Sequence, residues 1–133
     1  MVNVMLNECE TKLHIKVNAF KSWAKSNYPQ ITEENDSGEW CMCYEFKEMV
    51  SSAFSMIEKC SAASATEQII DDLLYVIARD NECEFLIDEL KVHNDWFALL
   101  CRHSLKTHYT NAKWQFVKNL CNYNGNDNIH ELA

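Results

Sequence analysis

Thr66-Glu-Gln-Ile-Ile-Asp-Asp-Leu-Leu-Tyr-Val-Ile-Ala-Arg-Asp-Asn-Glu-Cys-Glu-Phe-Leu-Ile-Asp-Glu-Leu90 reads as two helices meeting at a polar corner. Ile69, Ile70, Leu73, Leu74, Ile77 and Ala78 recur at the spacing of one wide apolar helical face. Ser64 and Glu67 have the spacing of a capping box ahead of it. Asp80-Asn81 makes the corner, where either side chain can cap the second helix. There Cys83, Leu86, Ile87 and Leu90 take up a new apolar face. Between the two faces stand Asp71, Asp72, Asp80, Glu82, Glu84, Asp88 and Glu89. A hairpin oily on one side and acidic on the other is built for packing and for meeting a basic partner. It is not an obvious catalytic site.

The same pattern of helix, short polar corner, helix extends outward. On the N-terminal side, Leu6, Cys9, Leu13, Val17, Phe20 and Ala24 form a stripe over a helix at 7–28. Tyr28-Pro29 stops it, because the residue before proline is pushed out of the α region. Residues 29–38 read as an acidic polar loop, with turn chemistry at Asn35 to Gly38. A second helix at 39–60 carries Trp40, Tyr44, Phe46, Met49, Val50, Ala53, Phe54 and Ile57. That is more apolar surface than one face needs, so it is expected at the centre, touched on two sides. The hairpin helices are placed at 66–79 and 82–92. On the C-terminal side, Asn94-Asp95 caps a fifth helix to about 108 and Thr110-Asn111 a sixth to about 122. In the sixth, Trp114, Val117, Leu120 and Cys121 are expected to face inward. Residues 123–133 have little apolar content and are expected to fray.

The expectation is therefore one all-α domain over 1–122. About six helices stack as antiparallel hairpins, either a short α-solenoid or an irregular bundle. Composition agrees: 133 residues suffice for a real core, and two Gly and one Pro are too few for turn-rich β folds or phosphate-cradling loops. The formal net charge of −8 is unevenly spread. Residues 66–95 hold nine carboxylates against Arg79 and Lys91, whereas residues 96–121 hold Arg102, Lys106, Lys113 and Lys118 and no acid. Glu33, Glu34, Asp36 and Glu39 form a second acidic cluster. This argues against direct nucleic-acid binding, which needs a basic footprint. It suits a basic protein partner, for which opposite charge speeds encounter. The plainer reading of a charged helix face is solvation alone.

Seven cysteines are odd in number and lack metal-ligand spacing, and no signal peptide is read. Most sit among apolar neighbours as small hydrophobes, which points to a reducing cytoplasm. No apolar run reaches the roughly 18 residues of a membrane span.

The segment Leu73-Leu-Tyr-Val-Ile-Ala-Arg-Asp-Asn-Glu-Cys-Glu84 resembles small HEAT-like immunity proteins of bacterial polymorphic and contact-dependent growth inhibition toxin systems. Lys113-Trp-Gln-Phe-Val-Lys-Asn-Leu120 is similar to their final helix, so the resemblance spans residues 66–121. It implies a HEAT-like stack that binds and neutralises a toxin domain and does no chemistry itself.

Residue by residue, the partner-binding candidates are Asp71, Asp72, Tyr75, Asp80, Glu82, Glu84 and Asp88. Asp80, Glu84 and Asp88 step by four, a ridge of like charge that costs a few tenths of a kcal/mol per pair. Tolerating it suggests a partner supplying the opposite charge. The helix dipole accounts for Glu82 and Glu84 but poorly for Asp88. Tyr75, four residues after Asp71, is a candidate anchor, or else a half-buried tyrosine at the rim. Arg79-Asp80 alternatively forms an internal ion pair. The expected partner is a toxin domain with a basic cleft, such as a nuclease, bound by a monomer in a 1:1 complex.

No cofactor or metal is expected. His103 and His108, five apart, diverge around a helix, and no Cys-x-x-Cys exists. Trp23, Trp40, Trp96 and Trp114 read as packing. Two other classes stand beside the binding reading. One is a small all-α metal-dependent nucleotide hydrolase using Glu45, Glu48 and Glu67/Asp71 or Glu84/Asp88, whose spacing is one residue too long. The other is a generic helical adaptor.

Overall fold

The computed structural model describes residues 2–29 and 43–120. Trp40, Cys41, the acidic cluster at 33–39, Cys121 and the 123–133 tail lie outside the described residues. Among those described there are six α-helices and no strands. They are α1 (Val2–Asn27), α2 (Tyr44–Lys59), α3 (Glu67–Arg79), α4 (Phe85–Leu90), α5 (Asn94–Ser104) and α6 (Thr110–Leu120), with a 3-10 turn at Ala62–Ser64. The all-α expectation holds.

The extensive helix contacts lie within the pairs α1/α2, α3/α4 and α5/α6 or between consecutive pairs. The order is therefore layered, with the α3/α4 pair in the middle. The centre is α3, not the second helix as the sequence suggested. It packs on α1, α2, α4, α5 and α6, and ten of its 13 residues are buried. An amphipathic helix was expected. Instead neighbours on both sides bury nearly its whole circumference, polar positions included.

Local chemistry explains most boundaries. Leu13, Val17 and Phe20 of α1 are fully buried at i, i+4, i+7, each such side chain contributing about 1.5–3 kcal/mol. The helix ends at Asn27, two residues before Pro29. Cys43 caps α2 by accepting the Phe46 N–H at its sulfur. Thr66, not Ser64, caps α3: its Oγ1 accepts the Ile69 N–H at 3.2 Å, while its hydroxyl donates to Glu10 Oε2 of α1 at 2.7 Å. A line of rings runs through the layers. Phe20 lies edge-on to Phe46 and Tyr75 at 6.1 and 6.3 Å, and Tyr75 edge-on to Tyr109 at 5.9 Å.

Three boundaries differ from expectation. α4 spans only Phe85–Leu90, because Asn81–Cys83 form a turn and Glu84 is left-handed at φ 53°. α5 stops at Ser104, four residues early. α6 presents the other face: Ala112, Gln115, Phe116 and Asn119 are buried, whereas Trp114 is 63% exposed and Val117 is also exposed.

Candidate functional site

The acidic stretch at the α3–α4 corner divides into an interior part and a surface part. Asp80 belongs to the interior and is fully buried. Its Oδ2 accepts the Leu86 N–H at 2.8 Å, so it caps α4 from the far side of the turn. The N–H groups of Glu84 and Phe85 also favour its charged form. Burial outweighs them and pushes the Asp80 carboxyl up to about 6. The expectation that a corner residue caps the second helix is thus met by Asp80. The ridge of Asp80, Glu84 and Asp88 is not: the helix begins only at Phe85, so the three never share a helical face.

α6 fastens this corner. Gln115 Nε2 donates to Ile77 O at 2.7 Å and to Asp80 O at 3.3 Å, with Asn111 Oδ1 a further acceptor at 2.7 Å. These bonds serve carbonyls that the end of α3 leaves without helical partners. Lys118 Nζ reaches Glu84 Oε2 at 2.6 Å. The left-handed Glu84, a conformation that costs a non-glycine residue about 1 kcal/mol or more, is thus held from both sides.

Asp72 and Tyr75 are also interior, which corrects their expected place on an exposed face. Asp72 Oδ2 lies 3.0 Å from His14 Nδ1, and Oδ1 accepts from Gln68 Nε2 at 3.1 Å. Burial raises the Asp72 carboxyl above its usual range, while the hydrogen bond and charge of His14 pull it down. Tyr75 is buried, with Lys21 Nζ 4.7 Å and Arg79 Cζ 4.8 Å from its ring centre. Its π faces draw cations from α1 and α3. It is a packing element rather than an anchor. Arg79 is buried at this ring.

Four candidates remain at the surface. Asp71 is exposed and accepts the Tyr109 hydroxyl at 3.2 and 3.3 Å. It lines an open cleft of about 340 Å³ with Glu67, Ile70, Leu74, His103, Lys106, Thr107 and His108. His103 and His108 therefore share one cleft instead of diverging, because the helix that would have separated them ends at Ser104. Glu82 and Asp88 are exposed and Glu84 is half-buried. Asp88 pairs with Lys91 at 3.3 Å, an exposed pair worth about 0–1 kcal/mol.

Among these carboxylates stands a residue the sequence reading did not single out. Phe85 is 54% exposed, three residues from Glu82 and from Asp88. Cys83, expected on the apolar face, is exposed as well. The missed signal was the turn. Once Glu84 leaves the helical region, Leu86, Ile87 and Leu90 suffice to bury the short helix and Phe85 is left outside.

Among the described residues no three His, Cys, Asp or Glu side chains are grouped to hold a metal ion. Of the carboxylates weighed for a metal centre, Glu48 pairs with Lys16 at 3.1 Å. No described helix is long and apolar enough to cross a membrane. No protein-family model matches the chain, and no curated protein or solved structure matches it.

Proposed function

We propose that this chain is a binding protein of the immunity type, which neutralises a cognate toxin domain by occluding a basic active-site cleft. The observation that carries the reading is the surface run Glu82 to Asp88, where exposed Phe85 stands between exposed carboxylates. An aromatic that buries area without much entropy cost, flanked by charge that steers encounter, is how binding hot spots are composed. The segregation of acid into residues 66–95 and the resemblance of residues 66–121 to HEAT-like immunity proteins support it. In this reading Glu82, Glu84 and Asp88 supply electrostatic contact and Asp71 extends it along α3. Phe85 takes the anchor role first given to Tyr75. The protein does no chemistry itself and acts as a monomer in the cytoplasm of the toxin-producing bacterium.

The test has two stages. Tagged full-length chain is used to capture partners from its native cell, and the captured protein is then expressed alone and with the chain. The expected outcome is one stoichiometric basic partner whose expression arrests growth, with growth restored by co-expression. A partner that is harmless alone, or toxicity that persists with the chain bound, overturns the proposal. Substituting Phe85→Ala should weaken binding by about 1–3 kcal/mol with unchanged helical circular dichroism.

A further inference from the structure

The cleft that Asp71 shares with His103 and His108 is lined by two elements of opposite character. Glu67 and Asp71, four residues apart on α3, give it two exposed carboxylates. The chain that leaves α5 gives the other side. There His103 and His108 bring ring N–H donors, and Lys106 brings a positive charge. Ile70 and Leu74 add apolar lining. The volume of about 340 Å³ lies within the roughly 300–1,000 Å³ of small-molecule sites.

The two sides are tied together. Lys106 N–H donates to His103 O at 3.1 Å and Thr107 N–H to Ser104 O at 3.3 Å, so the chain turns tightly where α5 ends. Tyr109 N–H then reaches Thr107 Oγ1 at 3.4 Å. The buried Tyr109 donates its hydroxyl to Asp71 on the opposite side at 3.2 Å, and the His108 ring lies 4.3 Å from the Tyr109 ring. A site held in advance loses less on binding. Nor do the opposite charges consume each other. Among the described residues neither the Glu67 nor the Lys106 side chain is in an ion pair or hydrogen bond. Asp71 takes a single hydroxyl across its two oxygens, and a carboxylate has acceptor capacity beyond that.

We propose that this cleft binds a small zwitterion of the amino-acid type, with an ammonium at one end of a short chain and a carboxylate at the other. Asp71 and Glu67 take the ammonium. Lys106 takes the carboxylate, with the ring N–H groups of His103 and His108. Hydrogen bonds of this charged kind are about twice as strong as neutral ones. A simple anion is opposed by the carboxylates of α3, and a simple cation by Lys106, so each is accepted at one end and resisted at the other. The site needs nothing from the Phe85 corner and is independent of whether the chain neutralises a toxin.

The probes are glycine, γ-aminobutyrate and ε-aminocaproate, which carry the same two charges at rising separation. Caproate and hexylamine, with one charge each, are the controls. Each is titrated into isotope-labelled full-length protein at constant ionic strength and followed by amide NMR. The expected result is saturable shifts centred on Asp71 and on Lys106 to His108. One member of the series should bind at least about tenfold tighter than either control. Glu67→Gln and Lys106→Gln, both at exposed positions, should each weaken that zwitterion about tenfold and leave the amide signals of α4 in place. Glu67→Gln should also raise the affinity for caproate relative to hexylamine, and Lys106→Gln should do the reverse, a readout that a merely structural role would not move. The proposal is overturned if no member of the series gives saturable shifts in the cleft, if a control binds as tightly as the zwitterions, or if both variants bind like wild type.

Discussion

α3 and the segment just after it carry similar acid in sequence and treat it in opposite ways. Asp72 and Asp80 are buried and hydrogen-bonded, while Glu82 and Asp88 are exposed. The difference lies in neighbours rather than in residue type. From Asp72 to Arg79 every residue of α3 is buried, so a polar group there must find a protein partner. The corner after it faces packed helices on one side only. Carboxylates in one run of 17 residues (72–88) thus serve two purposes: some hold the fold, and the others are available to a partner.

The sharpest way to break this contrast is Asp80→Ala against Asp88→Ala, compared by urea unfolding. The first strands the Leu86 N–H and removes the α4 cap, and should cost about 2–4 kcal/mol. The second should stay within about 0.5 kcal/mol. Equal small effects would erase the distinction. Next in size is a pair on α6. Gln115→Ala leaves α3 carbonyls unserved and should cost about 1–3 kcal/mol, whereas exposed Trp114→Ala should cost well under about 1 kcal/mol.

The pH dependence sharpens the comparison further. Asp80 keeps its proton up to about pH 6 in the folded chain, against an ordinary value of 3.8. Between these values the folded state binds more protons, so this group lowers stability as pH rises through the window, and the penalty is complete above it. Urea midpoints of wild type and Asp80→Asn, measured from pH 4 to pH 7, should therefore diverge in favour of Asp80→Asn as pH rises. Parallel curves would assign the pH response elsewhere, and Asp72, raised in the same direction, is the next residue to substitute. The smallest stability effect belongs to the surface. Glu82→Lys with Asp88→Lys should shift unfolding by no more than about 0.5 kcal/mol, yet slow association with a basic partner about tenfold at low salt.

Much of the architecture was readable from apolar spacing. The α1 stripe, the proline stop and the hairpin register follow from residues that are apolar and buried for the same reason. What escaped were positions where polar residues are buried. Gln115 and Asn119 occupy the inward face of α6, so a search for apolar periodicity selected Trp114 and Val117 instead. Asp80 looked like a surface charge because its partners are backbone N–H groups, which sequence does not display. The shared cleft of His103 and His108 was hidden by the position of one helix end. For the candidate site, charge drew attention to the α3–α4 corner. Only the turn geometry distinguished Phe85 from Tyr75 as the exposed aromatic.

Thr66 links two events that chain order would separate. Its oxygen closes the first turn of α3 while its hydrogen is held by Glu10, 56 residues away. The first turn of a helix is its costly step, and here that step is completed by a group already committed to α1. The start of the central helix should therefore mature on the schedule of a long-range contact rather than of local coil-to-helix growth. In folding kinetics, Thr66→Ala should show a φ-value that tracks substitutions in the middle of α1, not those in the last turn of α3.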